Sequence, residues 1–115
     1  MKCSVIDGSH VLGKKWTVPI MQELFFKKKR GFNELSRSLK VSPKILSRRL
    51  NELESMGLLV KKQSAKESSY RLTRKGMEFQ KIIDNMKEFH IKWAKTVDCK
   101  DTPCSECTFF NRSSK

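Results

Sequence analysis

The stretch Phe32-Asn33-Glu34-Leu35-Ser36-Arg37-Ser38-Leu39-Lys40-Val41-Ser42-Pro43-Lys44-Ile45-Leu46-Ser47-Arg48-Arg49-Leu50-Asn51-Glu52-Leu53-Glu54-Ser55-Met56-Gly57 decides the fold. Phe32, Leu35 and Leu39 fall at i, i+3 and i+7, the spacing of one helical face. Lys40-Val41 leaves room only for a tight connection. Ser42 is a good N-cap and Pro43 a good first helical residue, because its missing N–H has no partner to lose there. Ile45, Leu46, Leu50, Leu53 and Met56 form the apolar set of the next helix, and Gly57 stops it. Two helices joined by so short a step, the second with a well-formed start, predict a helix-turn-helix.

On the second of these helices Lys44, Ser47, Arg48 and Asn51 recur at i, i+3, i+4 and i+7, on the face opposite the leucines. A major groove admits one helix, and Arg and Asn can pair bidentately with guanine and adenine edges. Ser42, Pro43 and Lys44 open the helix, and Lys44 and Ser47 could serve a base or a phosphate. A polar face alone is ordinary solvated surface. Its place after a tight turn and a cap, and before a basic hairpin, is what makes it a candidate reading head.

That hairpin follows Gly57, where the period changes from 3.6 to about 2. Leu58 to Lys62 reads as a strand, Gln63 to Ser68 as a turn, and Ser69 to Leu72 as a second strand with Tyr70 and Leu72 on one side. Lys61, Lys62 and Lys66 make it a candidate wing suited to backbone phosphates, as is the run Lys27 to Arg30. Upstream, residues 4–12 suit a short helix with Val5, Ile6 and Leu12, followed by a turn at Gly13-Lys14-Lys15. Thr17 is placed to cap a helix carrying Val18, Ile20, Met21, Leu24 and Phe25, with Pro19 in its first turn. Thr73 is placed to cap a last helix over 74–97. Its stripe is Phe79, Ile82, Ile83, Met86, Phe89, His90, Trp93 and Val97. Twenty-four residues at 1.5 Å rise give roughly 36 Å, long for so small a body. Part of that stripe is expected to lack cover within the chain, as subunit interfaces do. The expected fold is mainly α with a small β-hairpin.

Composition sets the partner. The chain has 115 residues and a formal net charge of +13, enough length for one ordinary domain. Between Lys27 and Lys75, 15 Lys/Arg stand against 4 Asp/Glu, so most of the excess lies in the helix-turn-helix and hairpin. That location favours duplex DNA over the other polyanion considered, an anionic membrane surface. No apolar run is long enough to cross a bilayer. The first residues put Asp7 where a signal peptide needs apolar side chains, so a cytoplasmic protein is expected. No Ser/His/Asp arrangement, phosphate-cradling Gly loop or paired-carboxylate motif is visible, and an enzyme is not expected. His10 and His90 read as surface or interface side chains, and Trp16 and Trp93 as core and interface anchors.

The end of the chain differs in character. From Asp98 to Cys107 three acids meet one lysine, and Cys99-Lys100-Asp101-Thr102-Pro103-Cys104-Ser105-Glu106-Cys107 spells C-x4-C-x2-C. Closely spaced thiols in a cytosolic chain argue for metal or redox chemistry over structural disulfides. Three thiolates suit zinc, with Cys3 or His90 as a fourth ligand. An iron–sulfur cluster is a lesser candidate, because the same spacing occurs in plant-type ferredoxins. Thiol switching without metal and an unpaired tail are the alternatives. The expected division is 1–97, a DNA-binding and dimerisation domain, and 98–115, a Cys-rich tail.

Several motifs in order resemble the HxlR family of winged helix-turn-helix transcription regulators. They are Cys3 standing thirteen residues before Trp16 in Leu12-Gly13-Lys14-Lys15-Trp16, then Trp16 to Leu24, then Gly31-Phe32-Asn33-Glu34-Leu35. Val41 to Glu54 and Gly57-Leu58 follow, and Tyr70-Arg71-Leu72-Thr73-Arg74-Lys75-Gly76 closes the set. The similarity covers roughly Cys3 to Trp93. It implies a homodimer built from the first and last helices, with each protomer's recognition helix in a major groove. It also implies repression of nearby promoters and, for several members, a response to oxidants or electrophiles through the cysteine that Cys3 matches. Ser4 departs from the Pro that often follows this cysteine. The terminal cysteines are not part of the family pattern. Two other functions fit the same residues: nonspecific compaction of nucleic acid, and a thiol or metal sensor in which DNA binding is secondary.

Overall fold

The computed structural model describes residues 3–94 and 104–106. Five helices are present there: α1 Ser4–Gly13, α2 Thr17–Lys27, α3 Phe32–Leu39, α4 Pro43–Ser55 and α5 Arg74–Ala94. Three strands, β1 Arg30–Gly31, β2 Leu59–Lys62 and β3 Ser69–Leu72, form one antiparallel sheet in the order β1-β3-β2, and Cys104–Glu106 make one 3-10 turn. The fold is a winged helix-turn-helix. Val97, Cys99 and Cys107 lie outside the described residues.

The helix-turn-helix forms for the local reasons its sequence offers. Lys40 takes a left-handed conformation at φ 57° and ends α3. Val41 N–H donates to Ser36 O (3.1 Å), and Ser36 Oγ donates to Val41 O (2.8 Å). This reciprocal pair sets the angle at which α4 leaves α3. Ser42 Oγ then accepts the Ile45 N–H at 3.4 Å, with Pro43 as the first helical residue. Gly57, at φ 76°, turns the chain out of α4.

Leu35, Leu39, Leu46, Leu50 and Ile83 are fully buried with Ile20, Met21 and Leu24, and Leu53, Leu58 and Leu59 pack with them. Ile45 is a correction. It is 38% exposed, because the buried face of α4 is centred on Leu46, Leu50 and Leu53, and its neighbour one position back is rotated about 100° away. Thr17 is another. Trp16 is the N-cap of α2, at φ 80° and with no side-chain capping bond, and Thr17 is the buried first helical residue. The left-handed backbone at Trp16 costs about 1 kcal/mol, and burial of the indole in the core offsets it. The helix α1 also includes Gly13, so the turn after it is Lys14–Trp16.

The hairpin gains an unexpected third strand. Arg30 pairs with Tyr70 and Gly31 with Ser69, which ties the chain just before α3 to the wing. At the far side of the wing, Thr73 N–H donates to Leu58 O (3.1 Å), Thr73 Oγ1 bonds to Gly57 O, and Gly76 N–H donates to Thr73 Oγ1 (3.1 Å). Thr73 thus caps α5 as expected and straps its start to the end of α4. Gly76 lies so close to Leu58 O that any Cβ there would overlap backbone. This contact is the physical reason for glycine in the Tyr70-to-Gly76 motif.

Candidate nucleic-acid interface

Leu46, Leu50 and Leu53 fix α4 to the body and turn Lys44, Ser47, Arg48 and Asn51 to solvent. The side chains of these four make no hydrogen bond or ion pair with other described residues. Ser42 and Pro43 are exposed at the same helix start, and the Ser42 hydroxyl retains its proton for donation while its oxygen accepts the cap bond. The adjacent arginine is handled differently. Arg49 Nε donates to Lys15 O (3.2 Å), and its Nη1 pairs with Glu52 Oε1 (2.8 Å). Lys14 Nζ holds the other Glu52 oxygen at 2.7 Å. The Lys14 hydrogen bond, reinforced by the Lys14 and Arg49 charges, holds the Glu52 carboxyl below its usual range. Among the described residues Arg48 has no side-chain partner, whereas Arg49 belongs to the body.

Lys61, Lys62 and Lys66 are all exposed on the wing, but not on one face. Lys61 stands opposite Tyr70, on the face that holds buried Leu59 and Tyr70, whereas Lys62 stands opposite Ser69 on the outer face with Val60 and Arg71. Lys29 joins Lys62 and Arg71 around a small hollow. Lys29 belongs to the basic run already expected to suit phosphates, whereas nothing local in the sequence marks Arg71 for this group, because the strand pairing that brings it beside Lys29 is long-range. Arg30 is a correction to the basic run Lys27–Arg30. It turns inward, with Nε 3.6 Å from the buried Glu23 carboxylate, Nη1 3.1 Å from Glu34 Oε2 and Nη2 2.8 Å from Ser38 Oγ. Lys27 pairs with Glu106 at 2.5 Å, and Lys28 lies over the Phe25 ring.

Cys3 is an exposed free thiol at the N-cap of α1. Cys104 opens the 3-10 turn, which packs on α2 and α3. Cys99 and Cys107 fall outside the described residues, and no group of three or more His, Cys, Asp or Glu side chains gathers as a metal site among the described ones. His10 and His90 are exposed. On α5, Ile83 is buried, but Ile82, Met86, Phe89 (67%) and Trp93 (71%) stay exposed, as do Val5 and Ile6 on α1. No described helix is long and apolar enough to cross a membrane.

A capped basic helix held on a tight turn, flanked by a lysine-bearing wing, defines a winged helix-turn-helix regulator that binds DNA. The family model for HxlR-like helix-turn-helix proteins matches residues 11–98. The chain belongs to that family and is a transcription regulator. It is similar to an uncharacterized HTH-type transcriptional regulator of Methanocaldococcus jannaschii, with 39% identity over 93 residues, 73% of this chain and 79% of the relative. Among solved structures it is similar to the reduced form of the transcriptional regulator YodB from B. subtilis, with TM-score 0.72, 25% identity, and coverage of 85% of this chain and 100% of that one. It is also similar to the redox regulator HypR in its reduced form, with TM-score 0.69, 26% identity, and coverage of 78% and 92%.

Proposed function

We propose that this protein is a sequence-specific regulator of double-stranded DNA that represses promoters as a homodimer. The observation that carries the reading is the free, exposed set Lys44, Ser47, Arg48 and Asn51 on a helix whose opposite face is fully buried. In this reading Arg48 and Asn51 contact base edges. Lys44 and Ser47 serve bases or phosphates. Ser42 and the Pro43 end of the helix meet the backbone, and Lys61, Lys62 and Lys66 hold phosphates. The exposed apolar side chains of α1 and α5 supply the dimer contact, since so many on two helices mark an interface. A two-fold dimer then requires a pseudo-palindromic site with half-sites about one turn apart. Selection of bound fragments from a genomic pool tests this. A recurring pseudo-palindrome is expected, and a pool no different from input would refute it.

The response belongs to the cysteines. Cys99, Cys104 and Cys107 have the spacing to hold a zinc ion as thiolates, with Cys3 as a further ligand or as a separate thiol switch. The support is the C-x4-C-x2-C motif together with the similarity to two regulators whose solved forms are described by redox state. Metal analysis of anaerobically purified protein is expected to give about one zinc per chain. Less than about 0.1 equivalent sinks the metal reading, and DNA binding that is indifferent to oxidant sinks the thiol one.

A further inference from the structure

The loop between β2 and β3 is polar apart from Ala65, yet it is held by its own hydrogen bonds. Ser64 Oγ donates to Glu67 O (2.5 Å), Glu67 N–H donates to Ser64 Oγ (3.3 Å), and Ser68 Oγ donates to Gln63 Oε1 (2.6 Å). The loop is also fastened to the start of α3. Phe32 N–H donates to Ser68 O (3.0 Å), and Asn33 N–H to Glu67 Oε2 (3.4 Å). Glu34 Oε1 takes the Gly31 N–H at 2.9 Å. Two carboxylates thus share the unpaired N–H groups of this helix end, where negative charge is favoured. The other Glu67 oxygen rests on Gly31 so closely that a Cβ there would overlap it. Gly31 has an ordinary φ of −80°. Its backbone does not call for glycine, but a Cβ there would have to displace the Glu67 carboxylate.

An acid beside the wing lysines works against DNA binding by simple charge, since phosphates repel it. Its position suggests another role. The helix α3 carries α4 through the reciprocal Ser36–Val41 bonds, so whatever fixes the wing to α3 also fixes it relative to Arg48 and Asn51. We propose that Glu67, seated on Gly31, is a positioning residue that locks the wing to the helix-turn-helix and so sets where Lys61, Lys62 and Lys66 meet the phosphates. This rests on the DNA reading proposed above.

The sign of one substitution separates the two effects. Loss of an acid tightens DNA binding if charge alone matters, whereas loss of the lock weakens it. Glu67→Ala is expected to weaken binding about tenfold. It should also lower the slope of log affinity against log salt by about 2.7, if the three wing lysines lose their phosphates. Gly31→Ala should do the same by pushing the flexible carboxylate aside, and should add less than about twofold in the Glu67→Ala background. Tighter or unchanged binding by Glu67→Ala, an unchanged salt slope, or additive losses in the double variant would overturn the proposal. Should Gly31→Ala not fold, Glu67→Ala and Glu67→Gln still decide. Hydrogen exchange at the Asn33 amide without DNA should be faster in Glu67→Ala, and unchanged exchange also overturns the lock. This readout stands even if the wild type ignores DNA, in which case the DNA reading fails and not the lock.

Discussion

Replacing Gly76 by Ala tests how the last helix is held to the helix-turn-helix. Gly76 is buried in the first turn of α5, and an added Cβ would overlap Leu58 O and lie 3.3 Å from Leu72 Cβ. The obstacle is backbone, so no side chain can rotate out of the way. Relief requires α5 to move by about 1.5 Å, to ordinary van der Waals distance. That shift breaks Thr73 N–H to Leu58 O and Thr73 Oγ1 to Gly57 O, and it strains Lys75 Nζ to Met56 O. At about 1 kcal/mol each, the loss is about 3 kcal/mol. The helix propensity of Ala returns up to about 1 kcal/mol. The net is about 2 kcal/mol of destabilisation, or roughly 8 °C in Tm for a domain of this size. Thermal and urea unfolding at fixed protomer concentration measure it, since the proposed dimerisation would make both concentration-dependent. Gly8→Ala is the control: Gly8 lies within α1 with open space around it, and the change should be neutral or slightly stabilising. A Gly76→Ala protein as stable as the wild type would refute the close-approach argument.

Other outcomes follow from single contacts. Leu50→Ala, at a position with no exposure, should cost about 2–5 kcal/mol by urea titration. The Glu52 carboxyl is held below its ordinary value of 4.5, chiefly by Lys14. Its contribution to stability is therefore complete above that value and is lost as pH falls through the lower folded one. Acid titration of Glu52→Gln should show a shallower loss of stability below pH 4.5, and a curve parallel to wild type would contradict the pairing. Wild type is expected to sediment as the proposed dimer and Phe89→Glu as a monomer with helix content retained; an unchanged dimer would remove α5 from the interface, and a monomeric wild type would refute the dimer.

Much of this architecture was legible because it is local. The Ser42-Pro43 start, the Gly57 stop, the leucine face of α4 and the Thr73 cap are each specified within a few residues, and the structure agrees at each. Partial cover of the α5 stripe was also legible, from the length of the helix against the size of the body. What escaped depends on distant partners. Two residues, Arg30-Gly31, carry no alternation, so β1 exists only because Tyr70 and Ser69 offer it a ladder. Arg30 read as one more cation in a basic run, yet Glu23, Glu34 and Ser38 draw it inward. Periodicity placed Ile45 with Leu46, although only one of two adjacent helical residues can face the centre of the core. Nothing local marks Trp16 for a left-handed backbone. At the interface, the polar face of α4 followed directly from spacing. The split of Lys61 and Lys62 onto opposite faces, and the seat of Glu67 on Gly31, required the strand register and the wing's return to α3.

In the proposed complex α4 reads bases while the wing holds phosphates. A competition titration at fixed salt tests it most directly, with a duplex carrying the selected site set against a scrambled one, for wild type, Arg48→Ala and Lys62→Ala. Wild type should prefer its site by roughly 10³ or more. Arg48→Ala should lose about 1–3 kcal/mol on the selected site and little on the scrambled one, while Lys62→Ala should weaken both alike. Equal losses on both duplexes for Arg48→Ala, or a wild type with no preference, would contradict the account and favour nonspecific compaction of DNA.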